Sequence, residues 1–342
     1  MKTRVAIVGA GGWGYQHARV LTARPDVELC GIAGRDPAKT ARRAAEFATR
    51  SYTSIEKMLE IEKPELVTIS LPNQQHFEAT RKVIAAGVPL LVEKPLTFEM
   101  SEADTLLQEA GDLFFAINFN HRYAKPVVMA HQAIQSGRLG ELVFASWRFG
   151  GEGGTEHPFN NLIETQCHGF DMLEFLCGPI ESVMAQMTDK TARGTYRTLA
   201  LAVQFRSGAV GTILGSYDSS YAYPDTHLLE INGTRGRLLI EDTVRKYTFN
   251  AAGNETAEVW QAGYFNDRDR GFHLTFDRHM DSVMDAFKRG SPPPIHARAG
   301  RRALAIALAA IDSFRSGRRV TIASDDYEAV TSPTAAALPA NP

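Results

Sequence analysis

Arg4-Val5-Ala6-Ile7-Val8-Gly9-Ala10-Gly11-Gly12-Trp13-Gly14 stands near the start of the 342-residue chain, and its reading decides the fold. An apolar run of this length reads as a buried strand, and the residues after it lead into a helix through His17, Val20 and Leu21. Between them, Gly9, Gly11 and Gly14 keep the G-x-G-x-x-G spacing. The first glycine permits a tight turn, the second lets backbone N–H groups approach a pyrophosphate, and the third lets helix and strand pack closely. The helix N-terminus then faces an anion. Gly9, Gly11, Gly12, Trp13 and Gly14 are therefore candidate contacts for a dinucleotide.

Val27 to Ala33 reads as the second strand, and an acid that would hold the ribose of NAD is expected about 20 residues past the glycines. Gly34 stands there instead, followed by Arg35. Without the acid a 2′-phosphate meets no repulsion, and Arg35 offers it a planar fork. NADP is thus favoured over NAD. Lys39, Arg42 and Arg43 add positive field, although Arg42 and Arg43 also suit an ordinary solvated helix face. Further on, strand and helix signals alternate: helices over 37–49, 54–60, 76–86 and 101–110, strands over 65–70 and 114–118. Such alternation predicts a doubly wound parallel sheet over residues 1–122. In it, Leu90-Leu91-Val92-Glu93-Lys94-Pro95 places an acid and a base where a parallel strand ends, the edge at which open α/β sheets bind ligands.

Composition sets bounds. Hydrophobic residues make up 44 % and charged residues 22 %, as in soluble globular proteins. A net charge of -2 gives no global attraction to nucleic acid. No apolar run is long enough to span a membrane and no signal peptide is evident, so a cytoplasmic protein is expected. The three cysteines, Cys30, Cys167 and Cys177, form no C-x-x-C, which speaks against disulfides and a zinc cluster.

Residues 123–329 read as a second domain and 330–342 as a loose tail. A helix over 127–136 and a strand over 141–149 lead into Gly150-Gly151-Glu152-Gly153-Gly154-Thr155-Glu156-His157-Pro158, which reads as a flexible loop; Arg148 and His157 beside it are candidate substrate contacts. From 162 to 176 the apolar spacing is helical. Glu164 and His168, four apart, share one helical face if the turn is continuous, and a carboxylate there can orient an imidazole. Asp171 follows one turn later, where capping or bracing is as natural as chemistry. Cys167 does not face His168 from the adjacent position, so a thiol nucleophile is not favoured. Between 180 and 260, alternating runs separated by turns predict an antiparallel sheet, covered on one side by helices such as 272–288 and 297–316. Its other face must meet something.

With Gly9–Gly14, Pro72-Asn73 with His76, Glu93-Lys94-Pro95 and Glu164-Thr165-Gln166-Cys167-His168-Gly169-Phe170-Asp171 in this order, the chain resembles the glucose-fructose oxidoreductase and myo-inositol dehydrogenase family, Gfo/Idh/MocA, from Val5 to about Ile322. The resemblance implies an N-terminal dinucleotide domain, a C-terminal α+β domain with a large, mostly antiparallel open sheet, and an active site between them. It places Trp13 near the coenzyme pyrophosphate and nicotinamide side, Asn73 and Glu93 near the nicotinamide ribose, and Lys94 at the reacting oxygen. It also makes the Lys94–Pro95 peptide a candidate for cis. The expected coenzyme contacts become Gly9, Gly11, Gly12, Trp13, Gly14, Gly34, Arg35, Leu71, Asn73, His76, Glu93 and Lys94. Lys94, His168 and Glu164 are the catalytic candidates, Glu164 standing where the family carries an aspartate. Arg122, Arg148, His157, Gln166 and Asp171 are the substrate candidates, and no metal is needed. The activity so implied is hydride transfer between NAD(P) and a secondary hydroxyl or ketone of a sugar, cyclitol or related polyol, by a homodimer or homotetramer joined through the C-terminal sheet. Two rivals are a redox-neutral sugar-cleaving enzyme that recycles its NAD(P), and a non-catalytic nucleotide-sensing regulator. Retention of both Lys94 and His168 argues against the regulator.

Overall fold

The structure, a computed structural model, describes residues 1–324; the tail expected over 330–342 lies outside them. Its first part alternates β1 (Thr3–Val8), α1 (Gly12–Ala23), β2 (Val27–Ala33), α2 (Pro37–Glu46), β3 (Arg50–Tyr52), α3 (Ile55–Glu62), β4 (Leu66–Ile69), α4 (His76–Ala85), β5 (Leu90–Val92), α5 (Met100–Ala110) and β6 (Phe115–Ile117). The six strands form one sheet in the order β3-β2-β1-β4-β5-β6, and every pairing is parallel. Val5 to Val8 and Leu66 to Ile69 are buried at every position, as a sheet with helices on both faces demands. The strand order reverses direction at β1, and there the fold leaves a crevice beyond the carboxyl ends of β1 and β4. Helix α2 begins where it does because Pro37 occupies its first turn and the Asp36 carboxylate accepts from Lys39 N at 3.0 Å. The three-residue edge strand β3, Arg50-Ser51-Tyr52, was not foreseen: it is too short and too polar to show a period.

By contact density the chain divides into two compact units, and they are not the continuous spans 1–122 and 123–329. The first holds Met1–Asn118 together with Asp277–Arg301. The returning segment is tied in by ion pairs from Arg19 to Asp277 and from Arg24 to Asp281 and Asp285, and by Ile117 N donating to Ile295 O at 3.1 Å. Charges this far apart in sequence leave no local signal.

The second unit holds Phe119–Phe276 and the described residues from Arg302 onward. It comprises α6 (Lys125–Gln135), β7 (Leu142–Gly150), α7 (Cys167–Cys177), β8 (Ile180–Thr188), β9 (Thr198–Phe205), β10 (Val210–Ser216), β11 (His227–Gly233), β12 (Gly236–Glu241), β13 (Lys246–Ala251), β14 (Ala257–Gln261) and the short α8 (Asp267–Arg270). The chain passes between the units within α9 (His273–Lys288) and α10 (Arg298–Ser316), and β15 (Val320–Thr321) follows. Nine strands pair in the order β14-β13-β12-β11-β7-β10-β9-β8-β15, antiparallel throughout except β7 with β10. In β9, Leu199, Leu201, Val203 and Phe205 are buried while Ala200 and Ala202 are exposed. That period of two buries one face; α7 packs on β7, and α6 on β12 and β13. Val210 and Leu214 of β10 and Met184 of β8 are exposed on the other face. Among the described residues no helix is long and apolar enough to cross a membrane.

Candidate functional site

In the first unit the β1–α1 turn is built for close approach. Gly9 has φ +129°, and a Cβ there would overlap the carbonyl of Ser70; a Cβ on Gly14 would overlap the carbonyl of Gly9. Gly11 and Gly12, by contrast, face open space. No side chain caps the N-terminus of α1, so its N–H groups are presented to whatever enters. Trp13 beside them is about half exposed. Two clefts lie at the carboxyl ends of β1 and β2, the smaller of them against this turn. One of about 180 Å³ is lined by Gly9, Gly11, Gly34, Arg35, Lys39 and Leu71, among others. The other, about 470 Å³, shares Gly34, Arg35 and Leu71 and continues past Ile55, Gln74 and Ala79.

Arg35 is exposed in both clefts and makes no ion pair among the described residues. Asp36, the next residue, which lines the smaller cleft, is engaged as the cap of α2. A side chain at position 34 would run into Thr40 Oγ1, itself held by donating to Asp36 O at 2.7 Å, so an acid could not be placed there without moving Thr40. Arg43 is engaged with Glu46 and lies over the Tyr15 ring, which makes it part of the helix face.

The β5 turn contains the cis Lys94–Pro95 peptide. Glu93 is buried and its carboxylate faces inward: His17 Nε2 lies 3.0 Å from Oε1, and Asn118 Nδ2 donates to the same oxygen at 2.7 Å. His279 Nδ1 in turn donates to Asn118 Oδ1 at 2.6 Å. Burial raises the Glu93 pKa, but the hydrogen bond and charge of His17, followed by Asn118 and Lys94, hold it below the ordinary carboxylate value. These contacts make Glu93 the centre of an internal network, where the resemblance placed it beside a ribose. His76 is likewise fully buried, with both ring nitrogens on backbone carbonyls. Asn73 begins a short 3-10 turn ahead of α4.

In the second unit His168 lies in the first turn of α7 and is 6 % exposed. The helix expected to run unbroken through 162–176 is interrupted: Asn161–Thr165 forms a π-helical turn, and α7 begins only at Cys167. A π turn carries one residue more per turn than an α turn, so Glu164 and His168 do not share a continuous α-helical face. The Glu164 carboxylate accepts from Asn160 Nδ2. His121, in the 3-10 turn Asn120–Tyr123, stacks on His168 with ring centroids 3.9 Å apart and planes 4° from parallel. His121 was not singled out in the sequence. The dense polar run Asn118-Phe119-Asn120-His121-Arg122 just past β6 was the available signal.

Three of the substrate candidates are turned to one another or to the interior. Arg122 and Asp171 form a buried two-pronged ion pair, with Arg122 Nε donating to Asp171 Oδ2 at 2.9 Å. Gln166 is fully buried, accepting from Trp147 Nε1 at 3.1 Å and donating to Asn161 Oδ1 at 3.0 Å. Arg148 stands on the face of β7 opposite Trp147 and Phe149. Its neighbours Trp147 and Phe149 are buried, Phe149 lying against His168, so alternation along β7 sends Arg148 to the opposite side, where it donates to Asp225 O at 2.7 Å. His157 is half-buried, its Nδ1 accepting from Phe159 N at 3.2 Å.

In the loop after β7, expected to be flexible, two glycines lie against aromatic rings, while Glu152, Thr155 and Glu156 are exposed. A Cβ on Gly151 would overlap the Tyr221 ring, and one on Gly153 the Tyr217 ring. Tyr217 is buried and its hydroxyl lies 2.8 Å from Thr165 Oγ1. The glycines therefore make room for aromatic rings.

Residues 3–113 match the family described as an oxidoreductase family with an NAD-binding Rossmann fold, and residues 125–322 match its C-terminal α/β domain. The chain belongs to the Gfo/Idh/MocA oxidoreductase family. Inositol 2-dehydrogenase of Rhizobium meliloti is 24 % identical, over 94 % of this chain and 100 % of its own. The scyllo-inositol 2-dehydrogenase (NAD(+)) of Bacillus subtilis is 25 % identical, over 94 % and 96 %. A solved levoglucosan dehydrogenase, in complex with NADH and levoglucosan, matches with a TM-score of 0.87 at 18 % identity, covering 95 % of this chain and 100 % of its own, and so speaks to the fold. Membership of the Gfo/Idh/MocA family makes the protein a nicotinamide-coenzyme dehydrogenase, with its Rossmann sheet and its mostly antiparallel sheet as described above.

Proposed function

We propose that the protein transfers a hydride reversibly between NADP and a secondary hydroxyl, or the corresponding ketone, of a sugar, cyclitol or related polyol. The observation that carries this reading is the glycine turn of β1–α1 opening onto a cleft lined by Arg35, in a chain whose family binds a nicotinamide coenzyme. The substrate class is that of relatives named for inositol and D-glucoside oxidation.

The residues present fit a dinucleotide: Gly9 and Gly14 clear the turn, Gly11 and Gly12 leave space above it, and the uncapped N-terminus of α1 receives the pyrophosphate. When bound, the nicotinamide supplies the acceptor or donor of the hydride. Arg35 binds the 2′-phosphate, and Trp13, Leu71 and Asn73 flank the coenzyme. Lys94 holds and polarises the reacting oxygen. His168 takes the hydroxyl proton in the oxidation direction and returns it in reduction. Glu164, through Asn160, steadies the π turn from which α7 starts, and His121 keeps the His168 ring in plane by stacking. Removing a general acid or base costs roughly 10² to 10⁴ in rate, so His168→Ala and Lys94→Ala should each lose about that much in coenzyme reduction. His168→Ala should keep coenzyme affinity. A fully active His168→Ala enzyme would retire this assignment.

The uncovered face of the nine-stranded sheet is the proposed surface for self-association into a dimer or tetramer, since Val210, Leu214 and Met184 stand exposed on it.

A further inference from the structure

His17, Glu93, Asn118 and His279 all belong to the first unit, and the hydrogen bonds that join them run in one direction only. Glu93 Oε1 receives two nitrogen atoms, His17 Nε2 at 3.0 Å and Asn118 Nδ2 at 2.7 Å, while Lys94 N donates to Oε2 at 3.3 Å. Burial pushes the Glu93 carboxyl up, but His17, then Asn118 and Lys94, bring it below the ordinary value, so the group is an ionised carboxylate and only accepts. His17 Nε2 therefore carries a proton. Asn118 turns its Nδ2 to Glu93 and is left with Oδ1 toward His279 Nδ1, 2.6 Å away; that nitrogen is a donor too.

The two ends of an amide are nearly equal in size, and hydrogen bonds alone choose between its orientations. Turned over, Asn118 would set Oδ1 against the Glu93 carboxylate, oxygen to oxygen. The N–H of His279 selects against this, because it meets an acceptor in one orientation and an NH₂ group in the other. Asn118 is 2 % exposed and His279 1 %, so bulk water offers no substitute.

His279 reaches Asn118 across 161 residues of sequence, and the docking of α9 brings it there. Asp277, Asp281 and Asp285 recur every four residues and pair with Arg19 of α1 and Arg24 just after it. His279, midway between the first two, leaves the helix on the opposite side. We infer that His279 is a positioning residue for Lys94: its Nδ1–H locks the Asn118 amide, the amide and His17 orient the Glu93 carboxylate, and the carboxylate fixes the turn from which the Lys94 side chain departs. This role rests on the reading of Lys94 as the group that polarises the reacting oxygen, and it gives the returning segment 277–301 a part in the chemistry.

Two measurements on the full chain test it. In a nitrogen-15 histidine spectrum at pH 7, with the His279 signals assigned by their absence in His279→Asn, Nδ1 should be of the protonated type; a bare Nδ1 overturns the lock. The second follows NADP reduction with myo-inositol and a panel of other polyols and sugars. Leucine keeps the bulk of histidine without a donor, whereas asparagine is smaller but places an amide N–H near the Nδ1 position. His279→Leu should lower kcat about tenfold or more and His279→Asn should stay within about threefold of the parent, with NADPH affinity by coenzyme fluorescence within about twofold in both. A role in packing alone gives the reverse order; that order, or a full rate in His279→Leu, overturns the positioning role. In a Lys94→Ala background His279→Leu should cause no further loss, and an undiminished loss there shows that His279 does not act through Lys94. A parent that reduces no NADP, or a Lys94→Ala variant at full rate, retires the reading of Lys94 and the role of His279 with it. Loss in Lys94→Ala beside a full rate in His279→Leu retires the role of His279 alone.

Discussion

In the proposed function Arg35 is the residue that would select the coenzyme. It stands exposed in both clefts with no competing ion pair among the described residues; Gly34 before it carries no carboxylate, and Asp36 after it is engaged as the cap of α2. Arg35→Ala should weaken NADP binding by roughly 1.5 to 3 kcal/mol, the usual worth of a charge-assisted contact, and leave NAD nearly unchanged. Titration calorimetry with both coenzymes decides: equal losses would contradict the assignment. At this scale the sequence was legible where a residue type has one physical use. Gly9 and Gly14 could be read because nothing larger fits. Arg122, Gln166 and Asp171 could not, because a polar residue near a candidate histidine looks the same whether it faces a ligand or the buried neighbour it has here. The internal partners of Glu93 and His76 were hidden for a similar reason: each lies in a motif at the strand ends, and both are bonded to the interior.

Among the elements, the loop after β7 and the start of α7 show what periodicity cannot deliver. Four glycines within five residues read as flexibility, whereas Gly151 and Gly153 are small because Tyr221 and Tyr217 lie against them, some 65 residues away in sequence. Gly153→Ala should cost about 1 to 3 kcal/mol through overpacking, and in a Tyr217→Ala background the same change should cost far less. Urea unfolding of the four proteins of that cycle gives the coupling; equal costs in both backgrounds would mean the ring is not the constraint. The π turn at Asn161–Thr165 was likewise hidden, since an apolar pattern at near-helical spacing does not reveal an inserted residue. Strands of the second sheet were readable where one face is buried and the other open, as in β9 and β10, which alternate cleanly.

For the molecule as a whole, the order of strand and helix along the first 118 residues predicted the parallel sheet, but not the return of 277–301 to that unit, which rests on ion pairs distant in sequence. Two histidines, one per unit, should set the acid limit of stability. Burial lowers His227 and His296 each to about 4. An unfolded histidine titrates near 6.5, so between about pH 6.5 and 4 the unfolded chain binds the extra protons; stability is complete above this window and falls as pH drops through it, by up to roughly 3 kcal/mol for each. His227→Gln should flatten part of that fall in melts from pH 7 to 4, and an unchanged slope would show that His227 is not the cause. For the uncovered sheet face, sedimentation of Val210→Asp with Leu214→Asp should give a smaller assembly than the parent; an unaltered assembly would place the interface elsewhere. The central claim is hydride transfer, and the most direct measurement is reduced-nicotinamide absorbance as the purified protein meets a panel of inositols, sugars and sugar acids with NADP and then NAD. The account predicts net reduction with at least one polyol, faster with NADP and lost in His168→Ala; tight coenzyme binding with no net reduction across the panel would contradict it.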